Sequence, residues 1–171
     1  HAPFTLKKAL LDMIAQETQH ASEGKPAHII LKINSLTDAK MIRALYKASQ
    51  TGVRIDLIVR GMCCLRPGIL GVSHNIQVRS IIGRFLEHSR VFYFLNAGDE
   101  KLYLSSADWM ERNLDRRVET CFPVEGFLTD NTQSWVLQPD GSYLRNSPSG
   151  NQNPRNVQNA LLERLGSPTA R

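Results

Sequence analysis

The sequence has 171 residues, with 21 Lys+Arg against 16 Asp+Glu for a formal net charge of +5, and 42% of it is hydrophobic and 22% charged. That balance excludes a disordered, collagenous or coiled-coil chain and fits one domain large enough to bury its own core. No apolar run approaches the roughly 20 residues that span a bilayer, and three cysteines, with Cys63 and Cys64 adjacent and Cys121 apart, make neither a disulfide framework nor a Cys-x-x-Cys zinc pair, which points to a reducing cytoplasm.

In chain order, residues 4 to about 24 read as a helix: Phe4, Leu6, Leu10, Leu11, Ile14 and Ala15 fall mostly on one face, and Gly24-Lys25-Pro26 ends it. His28–Ile33 reads as a strand, followed by a helix that Ser35 or Thr37 caps and Gly52 stops. Residues 53–59 form a second strand, so the unit is strand–helix–strand and a parallel, right-handed crossover is expected. Residues 63–75 are loop, punctuated by Pro67, Gly68 and Gly71. A strand is expected over 76–82, a short helical turn over 84–88, and a hairpin of 91–95 with 102–104 around Asn96-Ala97-Gly98-Asp99. Residues 105–113 read as a turn or short helix, 116–122 as a strand that Pro123 ends, and 134–137 with 141–144 as a pair flanking a Pro139-Asp140-Gly141 turn. An Asn/Ser/Pro/Gly-rich stretch over 146–154 precedes a short amphipathic helix over 157–165. The expected fold class is α/β, a mixed β-sheet flanked by helices. The expected organisation is a leading helix over 1–24 joining a preceding domain, an α/β domain over 25–145 and a loose C-terminal segment over 146–171. A chain that starts at His1, with no signal-peptide pattern, reads as a piece of a longer protein.

The chemistry concentrates between Arg84 and Trp109. Arg84-Phe-Leu-Glu-His88-Ser-Arg90 enters a strand, and Ser105-Ser106-Ala107-Asp108 ends its neighbour. Residues i and i+2 of a strand share a face, so His88 and Arg90 are expected to point the same way. Imidazole, guanidinium and hydroxyls together suit a phosphoryl group: the ring serves as nucleophile or acid, and the guanidinium forks onto oxygens. A histidine met alone at a strand edge more often packs than reacts. The pair of segments resembles the phospholipase D-type motif, His-x-Lys followed by Gly-Ser-x-Asn, with Arg90 in place of the lysine and Ser105-Ser106-Ala107-Asp108 in place of the second element. His1, His20, His28 and His74 are followed two residues on by Pro, Ser, Ile and Ile, so only His88 carries the pattern and the chain holds at most half of such a site.

Longer blocks are more specific. Arg43 to Ser49, Gly52 to Gly68, Arg79 to His88 and Leu104 to Glu119, with Asn34-Ser35-Leu36-Thr37-Asp38, resemble the large, histidine-phosphorylating bacterial polyphosphate kinases over nearly the whole chain. The match is to the last of that family's four domains, a phospholipase D-like half. The resemblance implies reversible transfer of the terminal phosphate of ATP to polyphosphate, with magnesium, through a phosphohistidine in the preceding domain. It implies that Arg60 binds ATP, that His88 is the second active-site histidine contacting nucleotide phosphates, and that Arg117 contacts phosphate too. The magnesium-binding arginines and a nucleotide-stacking tyrosine match nothing here. The implied partners are ATP or ADP, polyphosphate, the preceding domains and further copies of the enzyme, not nucleic acid. The implied place is the cytoplasm, with peripheral membrane association of the full enzyme left open.

Read from the residues themselves, Arg60 ends a parallel strand, the edge where α/β sheets bind ligands. Arg90 joins it as a candidate phosphate ligand, and eight arginines against one lysine lie from Arg60 to Arg117, a bias that fits a polyanion. Arg116, amid Glu111, Asp115 and Glu119, reads as part of a solvated ion-pair network, and Cys63-Cys64 as packing. Two other readings stand beside the kinase: a phosphodiesterase or nuclease assembled from two single-motif chains, and a non-catalytic polyanion-binding module.

Overall fold

The structure, a computed structural model, describes residues 4–124, 130–139, 141–150 and 152–166. Two compact units divide the chain, His1–Pro123 and Val124–Arg171.

In the first unit, helix α1 (Leu6–Ser22) buries Leu6, Leu10 and Ile14, an i, i+4 row that packs it against α2 (Ala39–Gln50). Strand β1 (His28–Ile33) alternates, with Ile29, Leu31 and Ile33 buried and His28, Ile30 and Lys32 partly exposed. Strand β2 (Arg54–Val59) pairs with it in parallel, Ile33 opposite Val59, so the expected crossover unit is present. β3 (Ile76–Arg79) extends the parallel side. β4 (Arg90–Phe94), β5 (Lys101–Ser105) and β6 (Cys121–Pro123) add antiparallel strands on the other side. The six-stranded order is β3-β2-β1-β4-β5-β6, a mixed sheet with helices against it, the α/β class expected. Leu10, Ile14, Leu31, Leu45, Leu57, Phe92 and Trp109 are among its fully buried side chains. Trp109 meets Phe92 edge-on with ring centroids 5.6 Å apart. At the far end of the sheet the buried Glu17 carboxylate ties α1 to the strands by accepting from the His28 and Asn96 amides.

Four local expectations give way. Asp38 caps α2, accepting from the Lys40 and Met41 amides at 3.0 Å each, because the chain just before it is already held elsewhere: Ser35 O accepts from Trp109 N, and Thr37 N donates to Trp109 O. β3 stops at Arg79, short of 82, and residues 84–88 form no helical turn: 83–85 are bends and 86–88 are irregular. Ile82, Phe85 and Leu86 are 87%, 79% and 71% exposed, so no buried face stabilises regular structure there. β6 is only three residues long, since a π-helix (Arg112–Arg116) takes the preceding stretch. Pro123 ends this edge strand, where its missing N–H breaks no ladder bond.

The second unit holds the hairpin β7 (Trp135–Leu137) with β8 (Tyr143–Arg145) and helix α3 (Val157–Gly166). By compactness the chain divides after Pro123, and Asp130 gathers the second unit: its carboxylate accepts from the amides of Thr132 (2.9 Å), Gln133 (2.7 Å) and Val157 (2.8 Å). Asp140 is not among the described residues, so the expected Pro139-Asp140-Gly141 turn lies in part outside them. Among the described residues no helix is long and apolar enough to cross a membrane.

The amide of Val157 and then that of Gln133 hold the Asp130 carboxyl down to about 2. Its contribution to stability is therefore present above about pH 3.9, the ordinary Asp value, and lost as pH falls toward the native value. An NMR titration of the Asp130 carboxyl is expected to show a midpoint near 2. A midpoint near about 4, where a free Asp titrates, would mean the three amides do not hold it.

Candidate functional site

Strand polarity assembles the site. β1 and β2 run parallel, β4 runs against β1 and β5 against β4. The ends of β1, β2 and β5 and the starts of β4 and β6 therefore share one edge of the sheet. Asn34 follows β1, Arg60 follows β2, His88 precedes β4, Arg90 opens it, and Asp108 lies three residues past β5. This is the strand-end edge where open α/β sheets place their ligands.

A closed ring of hydrogen bonds joins these residues. The Asp108 carboxylate is buried and accepts a fork from Arg90, Nε to Oδ1 at 3.3 Å and Nη2 to Oδ2 at 3.1 Å. It also accepts from the Asn34 amide at 2.7 Å and from Asn34 Nδ2 at 3.3 Å. Asn34 Oδ1 in turn accepts from Arg60 Nε at 2.6 Å, and Arg60 Nη2 lies 3.1 Å from His88 Nδ1. Arg90 Nη1 closes the ring by donating to the His88 carbonyl at 3.0 Å. Burial pushes the Asp108 carboxyl up. The Arg90 guanidinium and the Asn34 amide push it further down, and the balance leaves it below the usual carboxylate range.

Two consequences follow from donor and acceptor chemistry. A guanidinium only donates, so His88 Nδ1 accepts from Arg60 and the neutral ring carries its proton on Nε2. His88 is exposed, and no group bonds Nε2 among the described residues. The charges are also unevenly spent. Arg90 is neutralised by Asp108 with Nε, Nη1 and Nη2 all engaged. Arg60 has no carboxylate partner among the described residues, and its Nη1 is unengaged.

The backbone around Asn34 is built to tight tolerance. Gly61 N donates to Asn34 O at 2.8 Å. A Cβ on Gly61 would stand 2.7 Å from that oxygen and 3.1 Å from Ser35 Oγ. Leu36 bridges to both Cys63 and Trp109, so the chain after β1 is wedged between those after β2 and β5.

Of the residues predicted from sequence, Arg60, His88 and Arg90 meet in this ring. Arg117 stands outside it, exposed at the end of the π-helix, with no hydrogen bond or ion pair among the described residues. His88 and Arg90 do not share a strand face, because β4 begins at Arg90 and His88 lies in the loop before it. The link between them is Arg90's bond to the His88 carbonyl. The serines are spent elsewhere: Ser105 Oγ donates to Thr120 O at 2.9 Å, and Ser106 Oγ bonds Glu119 and accepts from the Thr120 amide. Arg116 forms the expected exposed pair with Glu111 at 2.8 Å. Burial pushes the Cys63 thiol up, opposite to an activated thiolate. Among the described residues no three His, Cys, Asp or Glu side chains gather as a metal site. Asn34 is the residue that sequence reasoning missed. Its signal was its position, one residue past a parallel strand.

Residues 1–158 match the family model described as polyphosphate kinase C-terminal domain 2. The chain is 75% identical to a polyphosphate kinase of Pseudomonas putida, covering 98% of this chain and 25% of that protein. It is 52% identical to one of Thermosynechococcus vestitus, covering 95% and 24%. It also superposes on the crystal structure of a polyphosphate kinase from Porphyromonas gingivalis with a TM-score of 0.68 at 37% identity, over 94% of this chain and 26% of that one. The chain thus spans about a quarter of the length of the relatives it matches.

Removing Asp108 leaves a part-buried Arg90 (side chain 14% exposed) without its counter-charge, so Asp108→Ala is expected to lose roughly 2–4 kcal/mol in urea unfolding, somewhat less than for a fully buried pair. The Asp108 contribution is present above about pH 3.9 and lost as pH falls through its lowered native value. Asp108→Asn should accordingly flatten the acid side of the stability curve, and an unchanged acid limb would contradict the ring. Gly61→Ala should cost about 1–3 kcal/mol in the same assay, as overpacking against backbone does.

Proposed function

The chain belongs to the polyphosphate kinase C-terminal domain family. From that premise we propose that it forms one wall of an active site in which the terminal phosphate of ATP passes, reversibly, to polyphosphate through a phosphohistidine held in the preceding domain. The observation that carries this reading is the Arg60–His88 contact at the sheet edge. It sets an uncompensated guanidinium beside an outward Nε2–H, two donors for the oxygens of one phosphate.

Phosphoryl transfer depends on positioning and on stabilising charge spread over the moving group's oxygens. Arg60 supplies the charge, with Asn34 holding its Nε and His88 its Nη2, which leaves Nη1 unengaged. His88 donates from Nε2. The same contact supports the division of labour between histidines: a nucleophile needs a free ring lone pair, and in this ring Nδ1 spends its own on Arg60 while Nε2 holds the proton. Arg90, expected from sequence as a phosphate ligand, is assigned instead to holding the His88 carbonyl against Asp108. Arg117, exposed and unpaired among the described residues, is assigned to a second phosphate of the nucleotide or polymer.

Magnesium, which the family's chemistry implies, does not fit these residues. Asp108, the carboxylate of the ring, is occupied by Arg90 and Asn34, so the ion belongs with groups outside this chain. A phosphodiesterase built from two such chains would need the motif lysine as a free cation. Arg90 stands in its place and is already neutralised. The cytoplasm, where ATP is the phosphate donor, is the compartment this reading requires.

In the full-length enzyme, His88→Ala is expected to abolish polyphosphate synthesis, and near-normal synthesis would overturn its role. Arg60→Ala should lower kcat by about 10²–10³, the scale of losing a preorganised donor to transition-state charge. Arg60→Lys should recover little, because an ammonium lacks the planar fork whose spaced donors meet Asn34 and His88 and leave one for a phosphate. Incubated with labelled ATP, the 171-residue chain alone should acquire no stable phosphohistidine. Label retained on it would reverse the assignment of the nucleophile.

A further inference from the structure

We propose that Lys32 is a positioning residue that clamps the loop on both sides of His88 and so fixes where the ring reaches; the proposal rests on the phosphate-handling reading of His88. Lys32 lies on β1, opposite Ile58 of β2 and Val91 of β4 and two residues before Asn34. Its side chain is only 17% exposed, an unusual burial for a lysine. Its ammonium reaches Glu87 Oε2 at 2.9 Å, Ser89 Oγ at 2.6 Å and Ser89 O at 3.4 Å. An ammonium has three donors, and these are three acceptors, all contributed by the two neighbours of His88.

The loop has little else to hold it. Among the described residues, 80–88 make no backbone–backbone hydrogen bond, and Ile82, Phe85 and Leu86 face solvent. The anchors near His88 are three cations on three strands or strand ends. Arg60 takes the ring, Arg90 takes the carbonyl, and Lys32 takes the flanking residues. An exposed lysine–glutamate pair would contribute little. Here Glu87 is 38% exposed, but the lysine is sheltered on β1 between Ile58 and Val91 in register, and its ammonium bonds both neighbours of His88. A histidine held only through ring and carbonyl keeps freedom at both flanks. Small misplacements of a reacting group far from the substituted site cost turnover heavily.

The test uses the full-length enzyme with Lys32→Met, which keeps the stem and removes the ammonium, beside Lys32→Arg and His88→Ala. Steady-state kinetics with ATP, thermal unfolding and hydrogen–deuterium exchange of the 84–90 peptide are measured on each. Lys32→Met is expected to lower kcat about tenfold or more and to raise deuterium uptake at 84–90 while leaving β1 and β2 protected. Lys32→Arg is expected to recover most of kcat. A kcat within about twofold of the parent in Lys32→Met, with His88→Ala inactive, would overturn the clamp. An active His88→Ala would instead defeat the reading of the site; uptake at 84–90 in Lys32→Met then judges the clamp alone, a rise supporting it and no change overturning it. If Lys32→Met does not fold, Glu87→Ala with Ser89→Ala removes the two side-chain acceptors from the other side and is scored the same way.

Discussion

The site turns on one buried carboxylate. Asp108 accepts from Arg90 and from the main chain and side chain of Asn34, and so joins the end of β1, the start of β4 and the chain leaving β5. A carboxylate taken out of water must find donors or lose its charge. Satisfying this one fixes where those chain ends sit. Asn34 then presents Oδ1 to Arg60, Arg60 presents its fork to His88, and Arg90 holds the His88 carbonyl. The packing beneath serves the same geometry: the Trp109 backbone hydrogen-bonds Ser35, Thr37 and Asp38, and Gly61 closes against Asn34 with no room for a side chain.

Within this arrangement similar cations do different work, and their partners tell them apart. Arg90 and Lys32 face Asp108 and Glu87 and are internally neutralised; both act on the loop that carries His88. Arg60 has a neutral amide and an imidazole as partners, so its charge remains for an outside anion. A chain of net +5 has many basic groups, and the positive sum alone says little about function. The informative quantity is which guanidinium has no carboxylate at the edge where a ligand would sit.

Much of this was open to a reader of the sequence, for identifiable reasons. Alternation in HIILKI and the stop at Gly52 gave the parallel unit, which in turn put Arg60 at a ligand-binding edge. His88-Ser-Arg90 was visible as a motif. What the pattern could not carry was the partner of each side chain. The i, i+2 rule placed His88 and Arg90 on one face only if the strand began at 88, and it begins at Arg90. Ser105 and Ser106 looked like ligand hydroxyls but bond the Glu119–Thr120 stretch, a contact between residues 13 to 15 apart in sequence. Lys32 carried no motif, and Asn34 stood only in a block of family resemblance with no role attached. Their roles come from strand register, a long-range property that local propensity does not encode. The helical turn expected over 84–88 does not form, because Phe85 and Leu86 are exposed and no buried face holds it.

The central claim is that Arg60 and the Nε2 edge of His88 face the phosphates while Arg90 stays on Asp108. The most direct measurement is a crystal structure of the full-length enzyme with a non-hydrolysable ATP analogue. The account predicts phosphate oxygens at hydrogen-bonding distance, about 3 Å, from both the Arg60 guanidinium and His88 Nε2, with the Arg90–Asp108 fork intact. Phosphates bound by an Arg90 that has left Asp108, or bound away from Arg60 and His88 altogether, would contradict it.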